Sequence, residues 1–374
     1  MGQVNNSEEL NRVESELKKL REDTIRGIIM RTKAKWNVER ERSSKYFCNL
    51  EKRHFTEKAI PKLILDNGFE ITNQDDILTQ QHIFYESLYT SKGTVVSDNH
   101  FIFVDENNPF IKKLNLEESE ALEGDLKPEE MLVALKNMKN GKSPGLDGFT
   151  TEYYKYFWSD LKYLAVRSFN QTYTIGYLSV SQRQGVITCL PKEGKSKCYL
   201  KIWRPISLLN VDYKSCASAI ALRFKKILTY LISDTQMGFM KERFIGECTR
   251  LICDIIEKCD ESNIPGVLIL LDFEKAFDSV EWNFICKSLE FLGFGPSIIH
   301  WFETFYQNSE SCVLNNGHLS RHFKVERGDR QGDRQGDPLS PYLFILSVEL
   351  FNAAIKFHPN INGIQIDDSE FFFN

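Results

Sequence analysis

The segment LILLDFEKAFDSVEW, at 268–282, holds the residues best suited to chemistry. Asp272 closes an apolar run, and a carboxylate fixed at the mouth of a buried strand is placed to hold a divalent cation. Asp278 follows six residues on, behind the aromatic Phe277. A strand-end aspartate by itself is ordinarily a cap or turn residue, so the full string carries the specificity. A second segment, RQGDPLSPYLFILSVE at 334–349, sets the Gln335 amide beside Gly336, which allows close approach to the backbone. Asp337 reads as a helix cap with Pro338 at the first helical position. That helix would aim free N–H groups and its positive dipole end at a phosphate or sugar. A third segment, LPKEGKSKCYLKIWRPISLLN at 190–210, crowds Lys192, Lys195, Lys197, Lys201 and Arg204 together. Such a basic loop could grip a triphosphate or template phosphates. The plain alternatives are a capped helix that needs no ligand and a solvated loop.

Several elements must position these groups. VLILL (267–271), after Pro265-Gly266, has the length and composition of a buried central strand. GVITCLP (185–191) predicts another strand, and VDYKSCASAIALRFKKILTYL (211–231) a strong helix. Residues 126–148 predict a helix with Pro128 near its start and its end at Gly141. Asn315-Asn316-Gly317 marks a hairpin, as does Asp66-Asn67-Gly68 within 58–71, and a helix follows over 75–89. Residues 7–53 read as helix, with Leu10, Val13, Leu17 and Leu20 at seam spacing over less than about two heptads.

The 374 residues are 42 % apolar and include 27 Phe, which excludes a disordered, collagen-like or disulfide-stapled chain. The net charge of −5 speaks against nucleic acid only as an average. Residues 131–250 carry +11, while 61–130 and 251–374 carry −10 each. Cations for phosphates beside carboxylates for metal suit a polymerase or nuclease, although alternating solvated helix faces give the same tally. The nine cysteines form no CxxC pair and predict reduced thiols in an intracellular protein. No run approaches about 18 apolar residues, so no membrane span is expected.

In this order, the segments resemble non-LTR (LINE-type) retrotransposon reverse transcriptases. NGKSPGLDGFTTEYYKYFW (140–158) is similar to that family's motif before the fingers, and 189–210 to its fingers motifs. DTQMGFMKERFIGECTR (234–250) resembles its template-contacting segment, and 268–282 the first catalytic-carboxylate motif of its palm. SCVLNNG (311–317) and RQGDPLSP resemble the next two palm elements. The match covers about residues 130–374. It implies a helical linker or N-terminal extension over 1–130, the family-specific motif within 131–171, and fingers with a partial palm over 172–374. The fold implied is α+β: a partial right-hand polymerase whose palm is an antiparallel sheet backed by helices, with VLILL central.

The resemblance implies roles residue by residue. Asp272, with the Phe273 backbone carbonyl, would bind two catalytic Mg²⁺ ions. Phe277 would be the steric gate against a ribose 2′-OH. Lys192 and Arg204 would hold the triphosphate of the incoming dNTP, and Gln335 and Gly336 would contact that nucleotide. Arg243 and Lys142 would face template phosphates. The partners implied are an RNA template, a DNA primer and dNTPs, in the nucleus or cytoplasm.

The sequence departs from the family in two places. The aromatic-x-Asp-Asp motif is not found in its usual form; Asp367-Asp368 in GIQIDDSEFFFN (363–374) has Gln365 where the aromatic belongs. These aspartates read as the turn of the hairpin preceding that motif. The resemblance then implies a fragment without its second carboxylate motif or thumb, inactive alone. Arg-Gln-Gly-Asp also occurs in tandem, at 330–333 and 334–337, and the copy adjoining Pro338 keeps the spacing to the helix. Two other functions are weighed: a nucleic-acid-binding remnant without catalysis, and a different metal-dependent phosphoryl enzyme using Asp272 and Asp278.

Overall fold

The computed structural model describes residues 60–93, 107–192, 194–328, 336–366 and 369–371. The helix read over 7–53 lies outside them. The chain opens with a short hairpin, β1 (Leu63–Ile64) and β2 (Glu70–Ile71), and then α1 (Gln74–Tyr89). The longer helices that follow are α2 (Pro128–Asn137) and α3 (Trp158–Ile175). Strands β3 (Gln184–Pro191) and β4 (Trp203–Leu208) lead into α4 (Val211–Lys225). Helices α5 (Ile245–Ser262), α6 (Trp282–Phe291) and α7 (Pro296–Tyr306) precede β5 (Glu310–Asn315), β6 (His318–Leu319) and β7 (Phe323–Lys324). Helix α8 (Ser340–Phe357) and the hairpin of β8 (Ile364–Ile366) and β9 (Ser369–Phe371) complete the described elements.

The fold is α+β with a mixed sheet. Strand β3 is central: it runs antiparallel to β4, from Val186 opposite Leu208 to Pro191 opposite Trp203. On its other side it runs parallel to β5, from Gln184 opposite Glu310 to Thr188 opposite Leu314. Both β6 and β7 pair antiparallel with β5. The β5–β6 turn is as read from sequence, with Asn316 at φ 56° and Gly317 at φ 83°, the left-handed pair that suits a two-residue hairpin.

Two cores flank this sheet. Met131, Ala134 and Leu135 of α2 pack on α4, whose alanines Ala217, Ala219 and Ala221 leave room for close helix approach. Trp301, Phe302 and Phe305 of α7 and Leu343, Leu346 and Leu350 of α8 fill the rest. In the second core, Ile77, Tyr85 and Tyr89 of α1 cover Ile187, Trp203, Val313 and Phe323.

Four sequence readings need correction. VLILL is not a central strand: residues 264–272 form no ladder among the described residues, and Val267, Ile269 and Leu270 are 81 %, 72 % and 80 % exposed. An apolar run becomes a buried strand only where neighbours pair with its backbone and helices cover its faces. Here Gly266 touches the β8 hairpin at Ile364 without pairing to it. The main sheet is therefore mixed and does not contain the expected strand. Helix α2 stops at Asn137, before Gly141, because Met138 turns to extended backbone (ψ 137°). The 211–231 helix breaks after Lys225 and resumes over Leu228–Leu231. Helix α8 begins at Ser340 with Pro341 in its first turn, so Asp337 and Pro338 lie in the approach to it. Among the described residues, no helix is long and apolar enough to cross a membrane.

Candidate functional site

A cleft of about 560 Å³ opens between β3–β4, α4 and the start of α8. Arg204, Phe277 and Gly336 line it, three residues that the sequence had assigned to one ligand from three distant segments. Arg204 stands exposed on β4 opposite Leu190, and no described residue holds its guanidinium. The Phe277 ring is wedged 4.5 Å from that of Phe344 and 5.7 Å from that of Phe239. Leu190, Pro205 and Ile206 add apolar wall.

The Gly336–Pro338 approach to α8 is held from beneath. Asp337 is buried and accepts from the hydroxyls of Tyr213 (2.6 Å) and Tyr306 (2.8 Å) and from Leu339 N–H (3.0 Å). An aspartate beside a helix start was legible in the sequence, but its two tyrosine donors, from α4 and α7, were not.

Lys214 of α4 also lines the cleft and was missed by the sequence reading. It is only 5 % exposed. Burial pulls its ammonium down to about 8, opposed by the charge of Asp147. Burial likewise pushes the Asp147 carboxyl up to about 6, against the Phe149 N–H bond that favours its charge. A signal existed: Val211, Lys214, Ser218 and Ala221 share one helix face, so a lysine interrupts small and apolar neighbours. The 140–158 segment reaches this place because Gly145 lies against Asn210 at the start of α4. A Cβ at 145 would collide with the Asn210 backbone and amide.

The other predicted residues that the structure describes lie outside the cleft. Asp272 is exposed, and no described residue bonds or pairs with its carboxylate. Phe273 meets Phe351 edge-on at 6.1 Å. Lys192 is exposed at the end of β3, and its backbone N–H donates to Ile202 C=O. Lys142 is half-buried in the loop after α2. Arg243 folds onto its own loop, donating to Ser233 C=O, Gln236 C=O and Asp234 Oδ1. Gln335 lies outside the described residues, as do Asp367 and Asp368, although β8 and β9 pair on either side of those two as a hairpin. No group of three His, Cys, Asp or Glu among the described residues could hold a metal ion.

Asp278 fastens the Phe277 turn to α1. Its buried carboxylate accepts from the Tyr89 hydroxyl at 2.6 Å, across 189 residues of sequence. Gly328 (φ 78°) closes the other side, where a Cβ would clash with the Asp278 backbone. Burial pushes the Asp278 carboxyl up to about 6, outweighing the Tyr89 bond and Lys275. A raised carboxyl pKa favours the fold at pH below the unfolded value near 4, and this contribution is lost as pH rises through about 6. Asp278→Asn stays neutral and can still accept from Tyr89. It is expected to match wild type near pH 4 and to be more stable by at most about 3 kcal/mol above pH 7. Urea denaturation at the two pH values measures the difference.

Residues 190–368, which contain β4, α4, Asp272 and the cleft's Gly336, match the family model described as reverse transcriptase (RNA-dependent DNA polymerase). Over this segment, just under half of its length, the chain is similar to the reverse transcriptases. The relatives it resembles are proteins of transposable elements. It is 31 % identical over 340 residues to the transposon TX1 uncharacterized 149 kDa protein of Xenopus laevis, covering 91 % of this chain and 25 % of that protein. It is 24 % identical over 237 residues to the retrovirus-related Pol polyprotein from the type-1 retrotransposable element R2 of Popillia japonica, covering 63 % of this chain and 31 % of the relative. A third relative, the probable RNA-directed DNA polymerase from transposon BS of Drosophila melanogaster, is 27 % identical over 168 residues, 42 % of this chain and 18 % of the relative. The chain thus spans about a third or less of each relative's length.

Proposed function

We propose that the cleft binds an incoming deoxynucleotide and that the chain serves DNA synthesis on an RNA template, by attack of a primer 3′-OH on the nucleotide's α-phosphate, which breaks the α–β phosphoanhydride bond and releases pyrophosphate. The observation that carries this reading is the convergence of Arg204, Phe277 and Gly336 on one cleft. Arg204 offers a free guanidinium to the triphosphate, with donors spaced for two phosphate oxygens. Phe277, held between Phe344 and Phe239, presents a fixed wall that a 2′-hydroxyl would strike. Gly336 leaves its backbone open to the sugar. The alternating +11 and −10 blocks suit a template–primer grip beside a cation site.

The carboxylate of Asp272 has no partner among the described residues, and oxygen donors of this kind suit Mg²⁺. Asp272 and the Phe273 carbonyl would hold such an ion. When bound, it supplies charge stabilisation to the phosphoryl group and lowers the pKa of the attacking hydroxyl.

Primer extension on an RNA template with Mg²⁺ and dNTPs tests the reading. Extension that Asp272→Ala abolishes supports the polymerase. Template–primer binding that falls steeply with salt, with no extension by wild type and no change in Asp272→Ala, supports a binding protein without catalysis.

A further inference from the structure

We propose that Lys214 and the Ser340 hydroxyl form a phosphate-binding subsite on the inner wall of the cleft, beyond Arg204. This rests on the reading of the cleft as a nucleotide site and adds two residues to it. Lys214 is buried, lines the cleft, and makes no side-chain hydrogen bond or ion pair with any described residue. Asp147 acts on it only at a distance, since no ion pair joins them. An ammonium withdrawn from water without a partner is costly, which is why buried lysines are almost always paired. An anion entering the cleft supplies the missing partner.

Ser340 is an independent observation. It is 2 % exposed, it lines the same cleft, and its Oγ is buried with no hydrogen-bond partner among the described residues. It is also the first residue of α8, an 18-residue helix whose positive end faces this wall. The anion nearest to that end in the wall, Asp337, is already engaged by two tyrosine hydroxyls and Leu339 N–H. A cation and a hydroxyl without partners among the described residues, and one helix start, therefore meet the cleft that Arg204 also lines. A phosphate fits this set: several acceptor oxygens, negative charge, and no donor to be left stranded.

The phosphate has two sources, the triphosphate of the incoming nucleotide and a phosphodiester of the template. Binding of dTTP and of a fluorescent RNA–DNA template–primer is measured for the full chain and for Lys214→Met, Ser340→Ala and Arg204→Gln. Lys214→Met keeps the apolar stem and removes the charge. It is expected to weaken at least one probe by about tenfold or more while raising the melting temperature, because an unpaired buried charge is gone. Ser340→Ala should weaken the same probe by a smaller factor. A loss confined to dTTP assigns the triphosphate, and a loss confined to the duplex assigns the template. If Lys214→Met and Ser340→Ala bind both probes as wild type does, while Arg204→Gln loses dTTP, the subsite is overturned and the nucleotide site stands. If all three variants bind as wild type, or wild type binds neither probe, both fall.

Discussion

Asp337→Ala is expected to lower the unfolding free energy by about 4 kcal/mol or more and to weaken dTTP binding along with it. The carboxylate satisfies three donors at once, and two of them belong to fully buried side chains: Tyr213 and Tyr306 are 0 % and 1 % exposed. Truncation removes the acceptor that both phenol hydroxyls use, at about 1–3 kcal/mol each, and the one that Leu339 N–H uses at the turn into α8. Because Gly336 and Pro338 flank Asp337 in the cleft wall, the loss of this anchor also lets the wall drift. Asp337→Asn should cost less, about 1–2 kcal/mol, since an amide can still accept from Leu339 and the tyrosine hydroxyls can turn to accept from its N–H₂. Urea denaturation orders the two variants, and equal losses would mean that charge, not hydrogen bonding, holds the turn.

The second large effect is expected at Arg223, far from the cleft. Its guanidinium is 5 % exposed and spends all five donors. Nε and Nη2 reach the two carboxylate oxygens of Glu130 at 2.8 Å, Nη1 reaches Leu122 and Gly124 carbonyls, and Nη2 also reaches Asp125 C=O. Burial opposes the Glu130 charge, yet the Arg223 hydrogen bonds and positive charge outweigh it, and the carboxyl ends below its usual range. Arg223→Met is expected to cost about 3–5 kcal/mol, because it leaves a half-buried carboxylate and three carbonyls without their donor. Adding Glu130→Gln should return part of that loss, and a double-mutant cycle in urea reads the coupling. Independent, additive losses would show that the carbonyls of the 122–125 turn, not the ion pair, are what Arg223 serves.

Local signals in the chain were legible and long-range ones were not. Asn315-Asn316-Gly317 announced its own turn because the backbone signs it demands are set by those residues alone. The strand at 185–191 and the helix over 75–89 follow from local pattern in the same way, and the helix read over 211–231 does so as far as Lys225. The motif order named Arg204, Phe277 and Gly336 from three distant segments, and all three line the cleft. VLILL failed because strand burial is a property of neighbours, which five apolar residues cannot specify. The start of α8 was misplaced by two residues since Asp337 caps nothing in the helix; it is consumed by tyrosines from two other helices. Arg243 was read as a template contact from the resemblance; that its guanidinium reaches the Ser233 and Gln236 carbonyls and the Asp234 carboxylate was not legible in the chain. Lys214 went unnoticed because a helix pattern shows which face is apolar but not that a cleft opens beside it.

The parallel pairing of β3 with β5 fixes when, as well as how, the molecule can fold. Gln184 and Glu310, whose side chains bond across that pair at 3.1 Å, are 126 residues apart. At ribosomal rates of about 5–20 residues per second, β5 is made roughly 6–25 s after β3. Through that interval β3 can pair with β4 but must leave its second edge unclaimed, while most of the helices are already complete. Refolding of the full chain should therefore show an early helical phase and a slow, aggregation-sensitive final phase that closes the sheet. In the cell, that open edge is where a chaperone, or a second unfinished copy, would first find this protein.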